Sequence, residues 1–177
     1  LVAEALLLDA RACARAAGEV PEVPLVVDPQ AVVALERLCR SVADRDIVQM
    51  LLAGDHPDFL PERLRGFAPG AFLQYARRCV HGTDAAEAIV GLGPEPPRHE
   101  ALAESVEWLR RCLPLVIDDV RPDVLALVAW FEWARGRMSF AEHYAACAVA
   151  EAPEHRLASM LGRAVDEGIP PRWLHRP

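Results

Sequence analysis

PDVLALVAWFEWARGRMSFAEHYAACAVAEAPEH, residues 122–155, decides the fold of this chain. From Val124 to Phe131 eight apolar residues follow one another without a break. That density exceeds the stripe of a one-sided helix, and with residues 132–135 the run is long enough for a helix buried on most of its sides. Gly136 follows where a left-handed residue ends a helix at least cost, and Ser139 offers a side-chain oxygen to the free amides of a second helix. In that second helix Ala141, Ala145 and Ala148 recur at spacings of four and three, a smooth stripe along which two backbones can approach closely. Pro153 stops it. The expectation is two antiparallel helices at the centre of the fold.

Working outward, the remaining segments also read as helices. Residues 99–113 carry a stripe of Leu102, Val106, Leu109 and Leu113, with Glu107 and Arg111 paired four residues apart, before Pro114 ends or kinks it. After Pro153, Leu157, Leu161 and Val165 face inward and Gly168 is the stop, leaving a tail whose Trp173 tucks into a groove. Toward the N-terminus, 1–17 reads as an amphipathic helix ended by Gly18, and 18–27 as an extended connection. Asp28-Pro29 is an N-cap followed by a first-turn proline, and the helix it starts should run to about Ala43. Asp44-Arg45-Asp46 suits a cap and a local ion pair before a short helix ending at Gly54. Residues 55–70, with three prolines, are the longest irregular stretch and a candidate linker or lid. A helix from about Pro69 buries Phe72, Leu73, Ala76 and Cys79 or Val80, and Thr83-Asp84 caps a brief one after it.

The fold class expected is therefore all-α: a compact bundle of about eight helices, a single helical domain over 1–177, with N-terminal helices and a loop over 1–97 and the hairpin part over 98–177. Composition agrees. The chain has 177 residues, 53% hydrophobic and 25% charged, which is the balance of a globular protein. All nineteen basic residues are arginine and asparagine is missing, the codon bias of a GC-rich bacterial genome. A net charge of −7 with no basic cluster longer than an arginine pair argues against nucleic acid. No stretch approaches the ~20 apolar residues that cross a bilayer. The five cysteines lie far apart, with no CxxC, and read as reduced thiols in a cytoplasm. No cofactor motif occurs: the GLG at 91–93 precedes proline rather than a phosphate-cradling helix, and HExxH, GxSxG and Walker sequences are missing.

Leu125, Val128, Ala129, Gly136, Ala141, Ala148 and Pro153 stand at the intervals of one tetratricopeptide repeat, so the hairpin resembles that unit, with Glu132 and Ala145 departing from it. More broadly, the succession VLALVAWFEWARG, AEHYAACAVAEAP and HRLASMLGRAVDEGIPPRWL resembles the C-terminal part of an actinobacterial family known only as domain of unknown function 4192. The likeness covers about 100–175, and Arg45-Asp46 fits it too. It implies that the chain is the C-terminal piece of a longer protein, and it supplies no catalytic residues.

Candidate chemistry rests on few side chains. Asp118 and Asp119 could bind a metal, although an adjacent pair without histidine is also a capping and solvating turn. His143 and Cys147 share a helix face at the spacing of a zinc pair or a Cys-His couple, with no further ligands in register, so no metal site is assigned. Glu132 should point into the hairpin and needs a partner such as Arg135, Arg121 or His143, as a register-fixing ion pair or as a general base. In the tetratricopeptide likeness Trp130 and Trp133 line the ligand-facing groove, where they would anchor a protein partner; the 99–113 helix could cover the same face instead. The reading that follows is a non-enzymatic module for protein interaction or self-association. The alternatives are a metal-dependent or carboxylate-based hydrolase using Asp118, Asp119, Glu132 and His143, and a regulatory domain, either of an upstream catalytic domain or with a ligand under the 55–70 loop.

Overall fold

The computed structural model describes residues 26–53, 69–80, 83–93 and 96–175. Among them are eight α-helices and no strand. The expected helix over 1–17, the connection that follows it and most of the 55–70 loop lie outside the described residues.

Helix α1, Pro29–Cys39, starts as its sequence requires: the Asp28 carboxylate accepts the Gln30 amide at 2.8 Å and Pro29 takes the first turn. It ends at Cys39 rather than running on to Ala43. The Ser41 carbonyl accepts from the amides of Asp44 and Arg45 at 3.1 and 2.8 Å, and α2, Val42–Ala53, begins there. Asp44, Arg45 and Asp46 are thus inside a helix, which corrects their reading as a cap. Val42, the first residue of α2, is exposed.

Helix α2 is buried almost all round because it lies between two apolar clusters. Val48 and Leu52 join the main core, while Ile47, Met50 and Leu51 pack with Phe72, Ala76 and Val80 of α3, Pro69–Val80, and with Ile89 of α4, Thr83–Ile89. Ser105 of α5, His99–Cys112, ties that helix to α2 by donating to the Leu52 carbonyl at 2.8 Å.

At the centre is α6, Arg121–Ala134, in which every residue from Val124 to Ala134 is buried. The unbroken apolar run has the surroundings its density demands: α5 on one side, and on others α7, Met138–Glu151, and α8, Arg156–Asp166. Each large side chain so enclosed, among them Leu127 and Phe131, contributes about 1.5–3 kcal/mol. Gly136, at φ 76°, makes the tight reversal between α6 and α7. Ala141, Ala145 and Ala148 are the buried residues of α7, as their spacing predicts. Ser139 is not the cap. Helix α7 starts one residue earlier, at Met138, with Arg137 before it giving no side-chain hydrogen bond.

Candidate functional site

The polar chemistry of the interior gathers at the two ends of α6. At its C-terminal end the Glu132 side chain is 0% exposed. Arg110 reaches it from α5, donating from Nη2 to Oε1 at 2.9 Å, and Arg135 donates from Nη1 to Oε2 at 3.3 Å. Both carboxylate oxygens therefore hold a guanidinium, an arrangement that locks α5 against α6. Arg135 was among the partners expected from the sequence; Arg110, 22 residues away, was not. Burial lowers the pKa of Arg135 and Glu132 opposes the shift, while neighbouring Arg137 and Arg110 add to it. The Arg110 guanidinium also stacks over Phe140 and Tyr144 of α7, 5.7 and 5.3 Å from the ring centres.

At the N-terminal end a second network joins three helices. Arg45 of α2 donates from Nη1 to Asp123 Oδ1 at 3.0 Å, and His155 Nε2 lies 3.0 Å from the same oxygen. His155 is also the N-cap of α8, where its Nδ1 accepts the Ala158 amide at 3.2 Å. Accepting at Nδ1 leaves the ring proton on Nε2, pointed at Asp123. A neighbouring carboxylate, Asp44, holds Arg77 of α3 through two bonds of 2.6 and 2.7 Å. Cys39 lies close to this network, and its thiol pKa is pushed well up, chiefly by burial and secondarily by Asp123. One turn from Arg45 on α2, Gln49 is 0% exposed, and neither its amide oxygen nor its nitrogen has a hydrogen-bond partner.

These residues escaped the sequence reading because they are 32 to 110 positions apart. One signal was present: Arg45 and Gln49 are polar residues four apart on a face that the apolar Val48 and Leu52 share, a pattern that calls for interior partners.

Trp130 and Trp133, the proposed partner anchors, are 1% and 4% exposed. The α4–α5 connection and the C-terminal tail cover them, not α5 alone. Trp130 Nε1 donates to the Ile89 carbonyl at 2.7 Å and Trp133 Nε1 to the Ile169 carbonyl at 2.9 Å. Gly91, at φ 77°, presses against the Trp133 ring so closely that a Cβ there would collide with it. The Arg172 amide clips the tail to the Gly91 carbonyl at 2.8 Å. Trp173 is tucked in as expected, its Nε1 donating to the Ala134 carbonyl at 3.1 Å, although the tail forms a short 3-10 turn, Arg172–His175, rather than staying extended. In the single chain both tryptophans are interior groups, and a partner would not reach them.

Asp118 and Asp119 are exposed in the turn before α6. Glu132 lies toward the opposite end of that helix, roughly 16 Å along its axis from Arg121 at 1.5 Å per residue. His143 is exposed on α7, its Nε2 3.8 Å from Cys147 Sγ. The four side chains proposed for hydrolysis therefore do not converge. Among the described residues no three of histidine, cysteine, aspartate and glutamate are grouped to hold a metal ion.

What remains is a surface. Helix α7 turns Phe140, Ala146 and Ala150 outward as exposed residues, with Tyr144, Cys147 and Val149 half-buried. Phe140 is 48% exposed despite its contact with Arg110.

The family model for a domain of unknown function, DUF4192, matches residues 2–172, well beyond the 100–175 on which the resemblance was read. No curated protein and no solved structure matches the chain. Among the described residues no helix is long and apolar enough to cross a membrane.

Proposed function

We propose that this chain, which belongs to the DUF4192 family, is a helical association module whose contact surface is the outer face of α7. The observation that carries the reading is a mismatch between the composition of that helix and its place. A helix with so large a share of apolar residues is normally enclosed on more than one side. Here only Ala141, Ala145 and Ala148 of its fourteen residues are buried, and the solvent face carries Phe140, Ala146 and Ala150 among the polar Ser139, Glu142, His143 and Glu151. Small side chains on that face, Ala146 and Ala150, let another helix approach closely, and Phe140 is large enough to anchor it. The tetratricopeptide-like spacing of the hairpin fits the same role. The interior networks fit a scaffold: each of the two ion-pair networks joins helices to one another, and neither opens on a shared pocket with Asp118, Asp119 or His143.

A photo-reactive residue at position 146 tests this. It should yield cross-linked adducts that the same group at exposed Arg163 of α8 does not. Equal labelling from both positions, or none from 146, would remove the basis for assigning the role to α7.

A further inference from the structure

Resting on that reading, we infer that the occupant of the α7 face is a second copy of this chain, and that the two copies share a zinc ion held by His143 and Cys147 of each.

Phe140, His143, Cys147 and Ala150 are spaced three, four and three residues apart, so they form one stripe along the outer face of α7. The stripe is self-complementary when read backwards. In an antiparallel pair whose two-fold axis crosses midway between His143 and Cys147, His143 of each copy meets Cys147 of the second copy. Phe140 meets Ala150 of the second copy, at both ends. A large side chain then opposes a small one, and the half-exposed ring gains the apolar cover it lacks in the single chain. An isologous contact of this kind uses one patch twice and closes on itself.

The centre of that contact has the composition of half a metal site. Zinc takes four ligands, with Zn–S near 2.3 Å and Zn–N near 2.0–2.1 Å, which puts sulfur and nitrogen of one tetrahedron ~3.6 Å apart. Cys147 Sγ and His143 Nε2 are 3.8 Å apart on α7. One chain offers two ligands at the right separation, and the two-fold axis supplies the other two as Cys2His2. On binding, each Cys147 thiol releases its proton to solvent and each His143 donates the Nε2 lone pair. Glu142, exposed beside His143, adds negative charge that favours a cation. The assignment needs no movement of the core, because His143 is exposed and Cys147 half-buried on the same outer side of α7.

The test uses the full chain, stripped with chelator, exchanged into chelator-free buffer and kept reduced. Cobalt(II) is titrated as a spectroscopic stand-in for zinc, and sedimentation velocity is run with and without zinc. The expected result is one metal per two chains, with tetrahedral visible bands and a thiolate-to-cobalt band in the near ultraviolet. The sedimenting species should shift from monomer to dimer on adding zinc. His143→Ala and Cys147→Ala should each abolish the bands and the shift while leaving the helical circular dichroism unchanged. A dimer that forms equally without metal and in both variants overturns the zinc site but leaves α7 as an association surface. A chain that stays monomeric with zinc overturns the inference, and if position 146 also yields no adduct, the association reading falls with it.

Discussion

At the scale of the residue, the polar interior among the described residues divides into paired charges, in which only the Nε atoms of Arg45, Arg110 and Arg135 lack a partner, and one amide paired at neither end. Buried charge is paired: Glu132 lies between two guanidiniums, and Arg45 meets Asp123. Removing one partner of such a group leaves the other stranded in a low-dielectric interior, at about 3–5 kcal/mol. Glu132→Ala should therefore cost about that much in urea denaturation, and Arg110→Ala less, because Arg135 continues to hold the carboxylate. A Glu132→Ala loss under about 1 kcal/mol, within the range of an exposed pair, would contradict the burial argument. The unpaired amide is that of Gln49. Gln49→Met keeps the volume and removes the unsatisfied groups, so it should raise stability by about 1–3 kcal/mol. A loss would mean that the amide has a role this packing does not provide. That Glu132 would be buried was legible from its position four residues after Val128. Arg135, three residues on, was legible as a partner too; Arg110 was not, since periodicity places a residue on a face but says nothing of the helix opposite.

At the scale of the element, helix existence was legible and helix ends were less so. The apolar run of α6, the Asp28-Pro29 start and the Gly168 stop each state a local constraint that the backbone satisfies locally, with Gly168 at φ 65°. The boundary between α1 and α2 failed because Arg40 and Ser41 carry no glycine or proline to mark a break. That the Trp130 and Trp133 face could be covered was legible, but not by what: its cover comes from a glycine turn and a tail that look like mere connections in sequence. Glycine substitutions separate these effects. Gly91→Ala should destabilise by more than about 1 kcal/mol, combining a left-handed backbone with a collision against Trp133. Gly162 sits inside α8 with nothing near its missing Cβ, so Gly162→Ala should stabilise by about 0.5–1 kcal/mol. Thermal melting of the two variants beside the parent would show shifts in opposite directions. Two shifts of the same sign would undo the packing assigned to the 90–93 turn.

At the scale of the whole molecule, the chain keeps Glu132 apart from Asp118 and Asp119, and it holds His143 and Cys147 together on the outer face of α7 beside the exposed Phe140. Glu132 and the Asp118-Asp119 pair stand toward opposite ends of α6, and the buried tryptophans hold the α4–α5 connection and the tail in place. The all-α architecture could be read from hydrophobic density and helix punctuation. The surface proposed for association could not, because a sequence shows which side chains a helix carries and not which of its faces a neighbour covers. The most direct test is sedimentation equilibrium, with zinc supplied, of the parent chain beside Ala146→Arg. Position 146 is exposed and arginine is a good helix former, so the fold of the single chain should not suffer. The account predicts that the average mass of the parent rises with concentration above its 19.4 kDa monomer while Ala146→Arg stays at that mass. Identical mass curves for the two proteins would contradict it.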